Sequence, residues 1–367
     1  MLLLLGSCGA VSWAGVANAD PLPSPSFSGP LAPNPHPLTV DAGPFGSVAI
    51  SGQVSGIGGL QTHASHAGGI GNQDGFVDLS NGQIEIQTTQ GPLQFYIQAG
   101  AYSLPSLGSS YLQATKATDQ LFGPVPVAYA KGVITPELTV MAGLLPTMVG
   151  AESTFTFQNV NIERGLLWNQ EPAISRGVQI NYARGPLSAA VSLNDGYFSG
   201  KLNWLSGMLG YAIDASNSIS FVGAGSLSRS DKSSVATPLA QNNSSIFNLI
   251  YTYTSGPLTL GIRAEDVHLD QYALNSEWSL GARAEYLKTT GGTCGADANC
   301  TPTNLLYGAK SDAWSFTITP TYQKGVFFAR GELSYTGIGH LQPGSGFGRD
   351  FNQRDQVRAL VETGILF

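Results

Sequence analysis

"YQKGVFFARGEL", Tyr322 to Leu333, is a turn followed by an alternating strand, and the chain repeats it. "YARGPLSAAVSL" begins at Tyr182 and "YTSGPLTLGIRA" at Tyr253. Each copy runs Tyr, two residues, Gly (Gly185, Gly256 or Gly325), then residues whose character switches at every step. Glycine tolerates a positive φ and so permits a tight turn. A period of two is the mark of a strand with two different faces. "TTQGPLQFYIQAG" around Gly91 is the same device without the Tyr, and "VITPELTVMAG" around Pro136 is a variant, since Pro removes a donor at a strand boundary.

Working outward, turns fall near 91, 136, 185, 216, 256 and 324, with longer connections between them. That is the rhythm of an antiparallel membrane barrel with short periplasmic turns and long external loops. The gap from 256 to 324 holds two similar segments, "LTLGIRAEDV" and "WSLGARAEYL". If both run outward, a turn lies near Asn275–Ser276 and "VHLDQYAL" supplies the return, giving 16 strands. If the two segments fuse, the count is 14. Both are even, as single-chain bacterial barrels require, and 16 is the favoured count.

Composition agrees. Of 367 residues 11% are charged, against about 25% in ordinary globular domains, yet mean hydropathy is only +0.04. The 46 glycines and many uncharged polar residues fill the gap. After the N-terminus no apolar run is long enough for a helical span. A net charge of −7 without a Lys/Arg cluster leaves no footprint for nucleic acid.

Residues 1–19 read as a signal peptide, "MLLLLGSCGAVSWAGVANA", ending in the Ala17-Asn18-Ala19 cleavage pattern, although the positive n-region is missing. Cys8 is a weak lipoprotein match, because Gly6 fits that signal poorly. Residues 20–46 are a Pro-rich, aperiodic periplasmic leader, expected to be disordered. Residues 47–367 are the barrel. Cleavage would leave Cys294 and Cys300, an even pair that can close a small disulfide loop in an exported protein.

The faces follow from the alternation. Phe247, Leu249, Tyr251 and Tyr253 oppose Asn248, Ile250, Thr252 and Thr254; Trp314, Phe316 and Ile318 oppose Ser315, Thr317 and Thr319. The apolar set is assigned to lipid and the hydroxyl set to a wet lumen. Tyr182, Tyr253 and Tyr322 then form an aromatic girdle at headgroup depth beside the short turns. Arg263 and Glu265, Arg283 and Glu285, Arg330 and Glu332, and Arg358 and Glu362 all point inward. They read either as charges that set the field of a pore or as pairs that neutralise each other and brace the wall.

The longest stretch without alternation in the first half of the barrel is 150–173, in the third external loop. It carries Glu152, Glu163, Arg164, Trp168 and Glu171. A connection of this length usually has a function; folded inward it would narrow the lumen, and the alternative is an ordinary solvated loop. The terminal "VRALVETGILF", 357–367, closes the barrel against "SVAISGQVSG", so no strand edge is left in lipid. Its last residue, Phe367, resembles the signal by which barrel-assembly machinery recognises outer-membrane proteins.

The strand end "AGLLPT…GAE", the loop "NVNIERGLLWNQEP", the stretch "RGVQINYARGPLSAAVSLNDGY" and "GARAEYL" together resemble the OmpL-like putative beta-barrel porin family of bacterial outer membranes. The resemblance spans about 47–367 and is strongest over 140–200. It implies a Gram-negative outer-membrane porin and brings no catalytic residue and no cofactor. Spacing between strands is short for that family around Asp266 to Asn275. Expected partners are membrane lipid, the assembly machinery and small solutes or ions. Porins of this size are often homo-oligomers, and no stretch here marks an interface. His63 and His66 lack further ligands at a metal-site spacing, and "GSGFG" (344–348) does not open a helix as a phosphate loop would. The leading expectation is passive transport. A non-conducting structural or adhesion barrel is second, and an outer-membrane hydrolase third.

Overall fold

The computed structural model describes residues 29–367 except 30, 35, 44–45, 65–72, 264–265 and 290–305, with backbone alone at 263 and 266–270. The signal peptide, Cys294, Cys300, His66, Glu265 and the side chain of Arg263 lie outside the described residues.

The strands run β1 Leu38–Asp41, β2 Ser47–Gln61, β3 Gly75–Gln87, β4 Leu93–Tyr102, β5 Val127–Val133, β6 Leu138–Pro146, β7 Ile174–Arg184, β8 Leu187–Asn194 and β9 Trp204–Ala212. They continue as β10 Asn217–Ser226, β11 Ser245–Ser255, β12 Leu258–Arg263, β13 Asp266–Ala273, β14 Trp278–Lys288, β15 Asp312–Lys324, β16 Phe327–Gly339 and β17 Asp355–Leu366. Among the described residues two short α-helices sit in loops, α1 Ala114–Gln120 and α2 Leu239–Asn242.

From β2 to β17 every strand pairs antiparallel with the next, and β17 pairs with β2 from Arg358↔Gln61 to Leu366↔Gln53. The result is a closed antiparallel 16-strand barrel. The fourteen-strand alternative falls because Asp266–Ala273 is a strand of its own, paired with β12 and β14. Register slips on both sides of it, between Thr259 and Gly261 and between Leu269 and Tyr272, so its alternation is broken and hard to see locally.

The repeated turns share one geometry. Gly185, Gly256 and Gly325 have φ of 58°, 57° and 57°. A glycine at the first central position of a two-residue hairpin is what a type II′ turn needs, and that turn matches strand twist. These turns lie at one end together with both chain termini of the sheet. At the other end the connections are long, save the two residues between β12 and β13.

Burial follows the pleat. Along β15, Trp314, Phe316 and Ile318 are each about half exposed, while Ser315, Thr317 and Thr319 are buried. A soluble protein would bury the first set, so the outer surface is apolar and the inner one polar. Aromatics frame this band at both ends: Trp278, Tyr322 and Phe327 pack by the short turns, and Tyr286 packs tilted against Trp314, ring centres 4.5 Å apart, by the long loops. Tyr322 lies eight residues from Trp314, about 26 Å along the strand.

The seam has its own fastening. Gly52 and Phe367 exchange both backbone hydrogen bonds at 2.8 Å, and the Phe367 ring lies over Gly52, where an added Cβ would come within 2.7 Å of it. Beyond Phe367 the freed edge of β2 is taken up by β1, paired from Leu38↔Ile50 to Asp41↔Ser47. Gly52→Val should therefore reduce the fraction of chains that close, read as loss of the heat-modifiable compact band on gels. A Gly56→Val variant, whose Cβ meets nothing nearer than 3.7 Å, should give normal yield.

Candidate functional site

The connection between β6 and β7, residues 147–173 (hereafter L3), is closed at its base where Thr147 N–H donates to the Ala173 carbonyl at 3.0 Å. It then stiffens itself. Asn159 donates to the carbonyls of Ser153 (2.9 Å) and Phe155 (2.8 Å) and accepts from the Ser153 amide (2.7 Å). Short 3₁₀ turns at Thr156–Gln158 and Leu167–Gln170 add local order. From Met148 to Trp168 all but two residues, Phe157 and Gln158, are buried, which a loop over the outer surface could not achieve.

What buries it is the inner wall. Arg283 of β14 donates to Glu152 at 2.6 Å and to the Glu163 carbonyl at 2.8 Å, and lies 3.2 Å from Glu285 on its own strand. Arg330 of β16 donates to the carbonyls of Asn159 and Thr156, both at 2.9 Å, and pairs with Glu362 of β17. Arg358 of β17 pairs with Glu163 at 2.6 Å. Glu332 accepts the backbone amides of Ile162 (2.6 Å) and Glu163 (2.9 Å) and the Thr319 hydroxyl (2.7 Å). Gly165 lets the loop approach Glu285; a Cβ there would sit 2.0 Å from that carboxylate.

Glu362 is the meeting point. It accepts from Ser55 of β2 (3.0 Å), Asn81 of β3 (3.3 Å), Thr156 of L3 (2.8 Å) and Arg330. Full burial makes such bonds strong and their loss expensive. Arg164, wholly buried within L3, donates to Pro105 and Thr154 carbonyls and lies 5.6 Å from the Trp168 ring centre. Burial pulls its guanidinium down to about 10, with Glu152 opposing the shift, so it remains a cation at neutral pH. Glu171 is buried beside Gly150, whose φ of 84° turns the start of the loop.

The opposite wall meets L3 with apolar and aromatic groups. Phe155 shares a cluster with Tyr96, Tyr129 and Met141 of β4, β5 and β6. Met148, Val149 and Ala151 share another with Ala190, Val222 and Ile250 of β8, β10 and β11, and Asn248 of β11 accepts the Gly150 amide at 3.3 Å. The loop thus has contacts on both sides of the lumen.

A second segment reaches L3 from the short-turn end. Gln323, on the inward face of β15, grips Ala32 through both backbone groups, each at 2.8 Å. Three residues upstream, Gly29 donates to the Gln158 carbonyl at 2.9 Å. A Cβ at residue 29 would lie 2.6 Å from the Asn159 carbonyl oxygen. Gly29 therefore lies inside the barrel, against the loop.

Of the residues singled out by sequence, Arg283, Glu285, Arg330, Glu332, Arg358 and Glu362 come together with Glu152, Glu163 and Arg164 in one buried network. Tyr182, Tyr253 and Tyr322 stand apart at the short-turn rim, and Phe367 is at the seam. Sequence reasoning missed Thr156, Asn159, Ser55, Asn81 and Gln323. Strand parity marks Ser55 and Asn81 as inward, but no local signal announces their partners. Among the described residues no group of three or more His, Cys, Asp or Glu is placed to hold a metal ion, and His63 is engaged with Asp355 at 3.1 Å.

The family model described as "Putative beta-barrel porin-2, OmpL-like" matches residues 47–268 and 266–367. Its two matched segments meet at β13, beside the two-residue connection at the long-loop end. Outer-membrane OmpT of Vibrio cholerae has 12% identity and a TM-score of 0.52, over 90% of this chain and 100% of that one. OprB of Pseudomonas putida has 9% identity and a TM-score of 0.53, over 87% and 94%. At such identities the likeness is one of fold. No curated protein matches.

Proposed function

The chain belongs to the putative beta-barrel porin-2, OmpL-like, family, and from that premise we propose that it is a passive outer-membrane channel for small hydrophilic solutes or ions, narrowed at mid-height by L3. Residues 1–19 export it, the leader 20–46 enters the lumen from the periplasmic side, and 47–367 form the wall. Phe367 is what the assembly machinery reads as well as the residue that fastens the seam. Lipid is the partner of the outer surface and solute that of the inner one.

The observation that carries this reading is the clasp on L3. A loop tied by buried ion pairs to one wall and by apolar contacts to the other is a fixed constriction rather than a mobile flap. Arg283, Arg330 and Arg358 act through the loop they hold. The five carboxylates Glu152, Glu163, Glu285, Glu332 and Glu362 face the four guanidiniums of Arg164, Arg283, Arg330 and Arg358, so the network is near neutrality with one acid in excess. Small unitary conductance with a weak preference for cations is the expected result in planar bilayers, read from the reversal potential across a salt gradient. Strong anion selectivity would contradict this account of the charges.

A second reading, a barrel that does not conduct at rest, is favoured by one observation: Gly29 of the leader is seated against the same loop. Silence of the full chain together with conduction after removal of the leader would select it. Silence of both would leave a structural barrel.

A further inference from the structure

At the long-loop end, above the Arg358–Glu163 pair, lies a cavity of about 400 Å³ walled by four connections between strands. Its size is at the lower end of small-molecule sites. One side is aromatic: Tyr307 and Phe347 meet edge to face at 5.4 Å, with Phe351 beside them. Its floor is polar, made by Gln356 and Arg358.

Two properties mark it as more than a surface hollow. His63, Tyr307 and Phe351 all line it, and their φ values of 50°, 60° and 54° are three of the six positive ones outside glycine among the described residues. Non-glycine residues hold such conformations only where their surroundings impose them, commonly at ligand sites. In addition, the Tyr307 hydroxyl is buried without a hydrogen-bond partner. It lies beside Gly108, whose missing side chain leaves the space; a Cβ there would be 2.7 Å away. A buried hydroxyl left unpaired is unfavourable, and a ligand that bonds it relieves the cost.

Charge decides the ligand class. Arg358 spends four of a guanidinium's five N–H groups, on Gln61, the Ser106 and Ser109 carbonyls and Glu163. Its charge is cancelled by Glu163, and the His63 ring nitrogen is held 3.1 Å from Asp355. The site therefore offers mainly neutral hydrogen-bonding groups next to an aromatic wall. We propose that this cavity binds an uncharged, hydroxyl-rich ring compound of mono- or disaccharide size, with its C–H face on Phe347 and Phe351 and its hydroxyls toward Tyr307 and the floor. Its service as the first stop for solute above L3 rests on the channel reading; binding itself does not.

Saturation-transfer NMR on the folded barrel in detergent, with empty micelles as blank, tests this with glucose and maltose, and with glucuronate and glucosamine as charged counterparts. Transfer to at least one neutral sugar is expected, and little to the charged pair. Tyr307→Phe should weaken binding by about two- to tenfold, the worth of one hydrogen bond, and Phe351→Ala should weaken it further. No transfer from a barrel with intact heat-modifiable mobility would overturn the proposal. So would equal transfer to the charged sugars, or affinity unmoved by both variants. Binding without conductance would count against the channel and leave this site standing.

Discussion

Glu362→Ala is expected to destabilise the barrel by about 3–5 kcal/mol, the usual cost of removing one partner from a buried ion pair. The loss is double: Arg330 keeps its charge at full burial, and the donors of Ser55, Asn81 and Thr156 lose their acceptor. Urea unfolding in lipid vesicles, followed by tryptophan fluorescence, measures it. Glu362→Gln keeps an oxygen for the hydroxyls and should lose less. Combining it with Arg330→Met leaves no unpaired charge and should recover most of the difference. If Glu362→Ala unfolded at the wild-type midpoint, the node would be shown to contribute nothing. The same variant frees one anchor of L3, so its single-channel current should become noisier in bilayers.

On the channel reading, removing residues 24–36 should raise unitary conductance by about twofold or more, because Gly29 and Ala32 no longer occupy the lumen beside L3 and Gln323. The deletion spares the cleavage pattern at Ala17–Ala19, β1 and every barrel strand. Gln323→Ala offers a gentler version, since it removes only the two bonds that hold Ala32. Its conductance should lie between wild type and the deletion. Identical currents in all three would mean that the leader does not lie in the conducting path.

Much of this fold is legible in the sequence because its signals are local. A glycine at φ near 57° after a tyrosine, an apolar residue at every second position and a terminal phenylalanine each report on their immediate surroundings. The inward direction of Arg283, Arg330 and Arg358 follows from the same parity. The partners of those side chains do not. Glu152 and Arg283 are 131 positions apart and Thr156 and Glu362 are 206 apart, and L3 has no periodicity to orient it. Parity says which face a charge occupies, whereas packing decides whether that charge meets water or a loop. β13 is the least legible strand for a related reason: register shifts on both sides break the period of two that marks a strand.

The node at Glu362 also orders events in time. Its partners come from β2 and β3 at the start of the barrel, from L3 in the first half, and from β16 near the end, while Glu362 itself is on the last strand. Thr156 can meet Ser80 and Asn81 of β3 early, but Ser55 and Asn81 reach Glu362 only once the last strand lies beside the first. A nascent barrel must therefore hold L3 with Glu163 still lacking Arg358 until the last strand arrives. Full seating of the loop then waits for closure, and protection of L3 from protease is expected to appear together with the closed barrel and not before it.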